Sequence, residues 1–304
     1  MANPARFDLQ SLRVFLYAAQ SGSLTKAAER AHMTLSALSK RISELEKVTG
    51  CALFVRLPRG LALTPAGQSL SEHAQRLLHG VHRMALDMDD YALGVRGHVR
   101  VWANTSAIIQ FLPSDLAAFM AAHPGIRIML EEKVSEEVIS AVAQGTADIG
   151  IFADQVPSLS LQKQLYRKDH LVALVPPNHP LAAREHVAFA DTLDYEFVGL
   201  HEGSSLLSVM HQAAAIAERA LNLRVQVASF DAICRMIEAG LGIGLLPRGA
   251  VRQEILGAGL RAIPLIDDWA ERKLWIGVRA ADELQAEAVY VLDFLASRGR
   301  ATDP

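Results

Sequence analysis

A narrow apolar seam runs through the end of the first hundred residues and dictates much of what can surround it. Leu70, Ala74, Leu77, Val81, Met84, Met88 and Tyr91 recur at alternating spacings of four and three residues. That is the 3.5-residue period of a helix whose single apolar stripe faces one partner helix. Thr64-Pro65 opens the segment, with proline at the first turn where its missing N–H costs nothing. The pattern predicts one long helix over 65–93, which Gly80 weakens without interrupting. Leu70, Leu77, Val81, Met84 and Met88 are read as a dimerisation seam, packing against the body of the same chain being the alternative. Such a helix belongs to no compact domain, so it acts as a divider. It leaves a small segment, 1–64, before it and a large one, 95–304, after it.

The two segments differ in charge. Residues 1–64 carry nine Lys/Arg against four Asp/Glu, a net of +5; the other 240 carry 21 against 29, a net of −8. A basic module on an acidic body points to a nucleic-acid partner for the first 64 residues. Half of the chain is hydrophobic (51%), enough for sizeable cores, which excludes wholesale disorder. Its apolar runs are far short of the ~20 residues that a membrane helix needs. The N-terminal segment lacks a signal-peptide pattern, and two distant cysteines, Cys51 and Cys234, make neither a disulfide framework nor a zinc site. The expected location is the cytoplasm.

The basic module reads as three helices and a hairpin. Asp8 caps a helix with Leu9, Leu12, Phe15, Leu16 and Ala19 on one face, and Ser21-Gly22 stops it. Ser23 caps a second helix, 24–32. A third starts at Thr34 or Leu35 and runs to about Val48, with Leu35, Leu38, Ile42 and Leu45 as its apolar stripe and Gly50 as its stop. Two short alternating runs, 53–56 and 61–64, flank Leu57-Pro58-Arg59-Gly60 and predict a β-hairpin. Three helices and a hairpin are the plan of a winged helix-turn-helix. The third helix turns Ser36, Lys40, Ser43 and Lys47 away from its apolar stripe, with Ala37 and Arg41 on one flank and Ser39 on the other border. Small hydroxyls let a helix enter the major groove, and Lys/Arg meet bases and phosphates; a solvated surface helix is the plainer alternative.

From His98 the pattern changes to alternating strands and helices. Strands are expected at 98–103, 126–131, 147–152, 169–175, 195–199, 224–228, 243–246 and 272–279. Helices are expected at 107–121, 135–143, 205–220, 230–240 and 282–297. This is α/β architecture, in about two lobes, beyond a hinge at 94–97. There is no G-x-S-x-G, P-loop or H-E-x-x-H, and Gly240-Leu-Gly-Ile-Gly244 fails the dinucleotide spacing and follows a helix. His79 and His82 lie off the apolar seam with no ligand cluster beside them. No metal, cofactor or catalytic set is therefore expected.

The basic module closely resembles the LysR-type transcriptional regulators. The matching stretches are Leu9-x-x-Leu-x-x-Phe15, Gly22-Ser-Leu-Thr-x-Ala-Ala28, the Thr34 to Glu46 segment, Gly50-x-x-Leu-Phe-x-Arg56 and Leu63-Thr-x-Ala-Gly67. Looser matches, Leu112-Pro113, Ala147-Asp-Ile-Gly-Ile151 and Ala239 to Pro247, extend the likeness over nearly the whole chain. The resemblance implies a winged helix-turn-helix (1–64), a dimerising linker helix (65–94) and a two-lobed effector domain like a type 2 periplasmic binding protein (95–304). Lobe I would span about 96–167 and 268–300, lobe II about 168–267. It implies DNA contacts from Ser23, Thr25, Thr34, Ser36, Ala37, Ser39, Lys40, Arg41, Ser43 and the wing residues Arg56 and Arg59. Leu35 departs from the family pattern by replacing a glutamine that in many relatives touches DNA; its periodicity sets it at the edge of the buried stripe, which shifts base reading to its neighbours and the wing. Promoter DNA, a small-molecule effector and RNA polymerase are the implied partners, and a homodimer or homotetramer the implied assembly. A solute-binding protein without a DNA role is the competing reading, and an enzyme using the cleft a more remote one.

Ligands of open α/β sheets bind beyond the carboxyl ends of strands, where helix N-termini present free N–H groups. Those turns here hold Asn104-Thr105-Ser106, Gly203-Ser204-Ser205 and Ser229-Phe230. Each is an ordinary helix cap if taken alone. Together they predict one effector cleft, with Phe152 and Phe230 as its apolar wall. With no Arg or Lys in the turns, an anionic effector would rely on helix dipoles and hydroxyls.

Overall fold

The computed structural model describes residues 6–57, 60–93, 97–158, 160–257, 259–281 and 284–300. Contacts divide the chain into two compact units near residue 94.

In the first unit, α1 (Leu9–Ser21), α2 (Leu24–Arg30) and α3 (Leu35–Thr49) are followed by β1 (Phe54–Leu57), β2 (Gly60–Leu63) and α4 (Pro65–Leu93). The local stop and start signals act as expected. Asp8, Ser23 and Thr34 accept from N–H groups of the first turns of α1, α2 and α3. Gly22 and Gly50 end α1 and α3 in the left-handed conformation that glycine adopts without cost. Leu12, Phe15 and Leu16 of α1 pack with Ala27 and Ala28 of α2, with Leu38, Ile42 and Leu45 of α3, and with Leu53 and Ala74. The hairpin pairs Phe54 with Leu63 and Leu57 with Gly60. It is tied to the α1–α2 turn by the Leu61 N–H, which donates to the Gly22 carbonyl at 2.8 Å. Gly60 is required there, because a Cβ would lie 2.6 Å from that same carbonyl oxygen.

The second unit is α/β, with two lobes. Lobe I contains β3 (Gly97–Ala103), α5 (Thr105–Gln110), α6 (Leu112–Ala122), β4 (Ile126–Glu132), α7 (Ser135–Gln144) and β5 (Ile149–Ala153). The chain crosses to lobe II along β6 (Gln162–Val175). Lobe II holds α8 (Phe189–Thr192), β7 (Phe197–Leu200), α9 (Ser205–Ile216), β8 (Leu223–Val227), α10 (Phe230–Glu238), β9 (Gly244–Pro247), α11 (Gln253–Gly257) and β10 (Arg261–Pro264). The chain returns along β11 (Glu271–Val278) to α12 (Ala286–Arg300), which packs on β3, β6 and α6. The strand order is β10-β6-β11-β5-β3-β4, with β9 also on β6. Thus β6 serves both lobes: Gln162 to His170 pairs with β11, and Leu171 to Val175 with β9 and β10.

Three features depart from the expected spans. One helix over 107–121 is two, broken at Phe111, because Pro113 has no N–H to continue the ladder of the first helix and sits instead in the first turn of a new one. The strand expected at 169–175 begins at Gln162, its first half being charged but paired to β11. Finally, α8, α11 and β10 were not expected at all. The hinge proposed at 94–97 lies largely outside the described residues.

Candidate functional site

The nucleic-acid candidate face is built on α3. Its buried side is Leu38, Ile42 and Leu45, which fixes the opposite side outward. Ser36, Lys40, Ser43 and Lys47 are exposed there, while Ala37 and Ser39 are half-buried at the borders. Lys40 reaches Glu44 at 4.0 Å, a surface pair too weak to withdraw it from a phosphate. Thr34 caps the helix and lies 3.2 Å from the Ser36 hydroxyl. On α2, Ser23 is engaged as the cap, and Thr25 is exposed.

Two residues behave differently from the sequence reading. Leu35 is not packed into the stripe: it is 48% exposed on the first turn of α3, beside Ser36. Arg41 turns toward α1. Its guanidinium donates to Gln10 Oε1 at 2.9 Å and Ser11 Oγ at 3.2 Å and pairs with Asp8 at 3.5 Å, all at the start of α1. Arg41 therefore fixes α3 against α1. The Asp8 carboxyl titrates below the ordinary range: although burial opposes this, the Ser11 hydrogen bonds and the Arg41 charge prevail. Arg56 lies on β1, but its side chain and Arg59 lie outside the described residues, as do the side chains of His79 and His82.

On α4 the seam splits in function. Ala74 is buried and Leu70 half-buried against the first unit's core. Leu77, Met84 and Met88 are exposed by 48, 59 and 57%, and Val81 is half-buried.

The second candidate site is the cleft between the lobes. Asn104, Thr105 and Ser106 from lobe I face Leu200, His201, Ser204, Ser205, Leu206 and Phe230 from lobe II across a narrow recess open to solvent. A second recess of about 540 Å³ shares Ser135 and Ser205 with the first and adds Glu136, Gln155, Gly203, Ser208 and Gln212. Asn104 caps α5, accepting from the Ala107 N–H at 3.0 Å, and also points its amide at Ser135 Oγ, 3.4 Å away. Thr105 donates to Glu132 at 2.6 Å.

The cleft differs from the sequence reading in three places. Phe152 is fully buried with Val138, Val142 and Leu161 in the lobe I core and walls nothing; its ring lies under Gly277, where a Cβ would meet it at 2.5 Å. Ser229 is an ordinary cap of α10, accepting from the Ala232 N–H at 3.2 Å, and does not line the cleft. A cation is present after all: Lys133, just past β4, lines the cleft with its ammonium 5.4 Å from the Trp102 ring centre. Lys133, Ser135 and His201 were missed because they lie outside the three turns that the sequence singled out. The signal that could have found Lys133 and Ser135 is their place at the carboxyl end of a strand that runs parallel to β3.

Beneath the cleft lies a buried ion pair. Arg272 of β11 donates from Nε to Asp169 Oδ1 at 2.8 Å and from Nη2 to Oδ2 at 2.5 Å. The same Nη2 reaches the Ser106 hydroxyl at 3.2 Å, and Gln110 donates to Asp169 at 3.1 Å. The pair sits where both crossing strands pass between the lobes and ties that passage to a cleft residue.

A winged helix-turn-helix with an exposed hydroxyl and lysine face, covalently joined by a long helix to a two-lobed α/β unit with a polar cleft, defines a DNA-binding regulator with a ligand-sensing domain. The chain belongs to the LysR family. Residues 9–68 match the bacterial regulatory helix-turn-helix protein pattern of the lysR family, and residues 92–300 match the LysR substrate binding domain. The transcriptional dual regulator GltC of Bacillus subtilis is 29% identical over 79% of this chain and 80% of its own length. The full-length regulator CbnR, solved as a complex with its target DNA, superposes with a TM-score of 0.66 at 19% identity, covering 98% of this chain and all (100%) of its own. The CcmR regulatory domain of Synechocystis PCC6803, solved in complex with 2-PG, covers 68% of this chain and 99% of its own, with a TM-score of 0.62 at 21% identity. Among the described residues no helix is long and apolar enough to cross a membrane.

Proposed function

We propose that this LysR-family regulator binds two-fold interrupted promoter sites through α3 and the wing, and that a small molecule in the interlobe cleft sets its DNA contacts. Ser36, Lys40 and Ser43 read and hold the groove, with Ser23, Thr25, Thr34, Ala37, Ser39 and the wing arginines Arg56 and Arg59 around them. Arg41 serves by positioning α3. The observation that carries this reading is that α3 turns Ser36, Lys40, Ser43 and Lys47 outward, opposite the side that Leu38, Ile42 and Leu45 commit to the core. The exposed stretch of Leu77, Met84 and Met88 supports pairing of α4 with a second copy, and homotetramers as the working form in the cytoplasm. The cleft acts by binding, not turnover: effector closure of the lobes shifts the population of tetramer states. CbnR's complex with DNA and CcmR's with 2-PG support the two halves of this reading.

A mobility shift and footprint on DNA flanking the protein's own gene, at two salt concentrations, tests it. Protection of a two-fold site, weakened by salt and lost in the double variant Ser36→Glu/Lys40→Glu, is expected, because Lys/Arg contacts release counterions. Binding that ignores salt, or that survives the double variant, would overturn it.

A further inference from the structure

The apolar stripe of α3 leaves the core at its first turn. Leu35, Leu38, Ile42 and Leu45 follow one helical spacing, and the last three are buried. Leu35 lies beyond the edge of that core and stays exposed. Helical geometry sets it over Ser39, one turn on, at the border between the stripe and the outward side of Ser36, Lys40, Ser43 and Lys47. The turn that carries it is held by its own bonds: Thr34 accepts from the Ala37 N–H at 3.3 Å, and its hydroxyl lies 3.2 Å from that of Ser36. Leu35 therefore has a fixed base and an uncovered side chain.

A single exposed leucine on a protein surface needs no explanation. The place of this one does. In a helix-turn-helix the N-terminal residues of the second helix, here α3, are the ones that reach base edges in the major groove. Leu35 is the first residue of that helix. Its side chain neither donates nor accepts a hydrogen bond. Set over adenine, guanine or cytosine, it strips water from donor and acceptor groups and gives nothing back, which is costly. The major groove offers one apolar feature, the C5-methyl group of thymine. Against that methyl, two apolar surfaces leave water together, and no polar group loses a partner.

We infer that Leu35 is a specificity-determining residue, which selects one thymine in each half of the operator by contact with its C5-methyl group. This rests on the reading of α3 as the groove helix and names a base that it selects. Ser36, Lys40 and Ser43 supply hydrogen bonds and phosphate contacts, which several sequences can satisfy. Leu35 supplies discrimination at one position, as much by what it rejects as by what it accepts. Two copies of the chain on a two-fold site bring two such leucines, so the selected thymines are related by the symmetry of the site.

Uracil scanning of the footprinted operator tests the inference. Each thymine of the protected site is replaced in turn by deoxyuridine, which removes the methyl group and keeps every hydrogen-bonding group of the base. Affinity of the full chain is read by mobility shift. One symmetry-related pair of thymines is expected to respond, with wild-type binding weakened about fourfold by uracil in one half-site and about fifteenfold by uracil in both, as for one buried methyl group fewer at each. Leu35→Ala keeps a good helix former at this exposed position. It is expected to bind the thymine operator about as weakly as the wild type binds the uracil one, and to be indifferent to the exchange. Its affinity for an unrelated duplex, set by phosphate contacts, is expected to match that of the wild type, which shows the first unit to be folded. A wild type indifferent to uracil at every position overturns the inference, and so does a uracil effect that Leu35→Ala retains in full. In both cases the thymine operator is still bound and the regulator reading stands; a wild type that protects no site removes that reading and this inference with it.

Discussion

Replacing Asp169 by asparagine leaves Arg272 as a buried cation without a counter-charge. The side chains of Arg272 and Asp169 are only 1% and 2% exposed, so water cannot take over. Asparagine keeps one acceptor for the guanidinium but turns an amide N–H₂ toward a group that only donates. Removing one partner of a buried pair costs roughly 3–5 kcal/mol, a large part of the ~5–15 kcal/mol that holds an ordinary domain together. For a unit of about 200 residues each kcal/mol corresponds to ~2–4 °C, so the transition should fall by roughly 6–20 °C. The assay is selective by sequence: all three tryptophans, Trp102, Trp269 and Trp275, lie in the second unit, so thermal unfolding followed by tryptophan fluorescence reports on that unit alone. The double variant Asp169→Leu/Arg272→Met removes both charges and should lose much less, since buried pairs can be exchanged for apolar side chains at little net cost. A fall under about 1 kcal/mol for Asp169→Asn, or a double variant at least as unstable as the single one, would refute the reasoning.

Three further outcomes are expected. His179 accepts the Leu181 N–H through Nδ1 at 3.2 Å, and burial pushes its pKa below the ordinary imidazole value of about 6.5, so its contribution to stability is present above that pH and is lost as pH falls through the depressed value; His179→Asn should flatten the fall in melting temperature between pH 7.5 and 5.5, roughly the span that imidazole titration covers, and an unchanged slope would count against it. At Gly67 an added Cβ would lie 2.1 Å from the Leu53 carbonyl oxygen, so Gly67→Ala should cost the first unit about 1–3 kcal/mol and impair DNA binding while the tryptophan-monitored transition stays in place; a normal mobility shift at physiological temperature would contradict it. Met84→Glu/Met88→Glu puts charge on the exposed seam of α4 and should lower the mass in sedimentation, whereas an unchanged mass would mean that this seam holds no copy of the chain.

What the sequence made legible is what short-range physics decides. Asp8, Ser23 and Thr34 each act on an N–H three residues on, and Gly22 and Gly50 act on the turn that they close, so α1, α2 and α3 can be read from their own residues. The break at Phe111 was equally local and could have been read from Pro113. The first half of β6 could not. Gln162-Lys-Gln-Leu-Tyr-Arg-Lys-Asp169 has the composition of a solvated loop and is a strand only because β11, about 110 residues later, pairs along it.

The candidate sites divide along the same line. The exposed face of α3 follows from helical periodicity alone, and Ser36, Lys40 and Ser43 are where periodicity sets them. Arg41 has the same periodicity, yet it is spent on Asp8, Gln10 and Ser11, some 30 residues away in sequence, a contact that no helical wheel contains. The cleft is assembled almost wholly from such distant partners. Ser106 is held by Arg272 across 166 residues and Arg272 by Asp169 across 103. Serines at helix starts can therefore be found in the sequence, but whether a given one caps its helix or faces a ligand is decided by the strands that cross between the lobes. Ser229 and Ser204 make the case: each begins a helix of lobe II, and only the first spends its hydroxyl on its own backbone. That the Ser204 hydroxyl makes no capping bond is thus an observation about the assembled cleft, which the sequence of the turn alone does not contain.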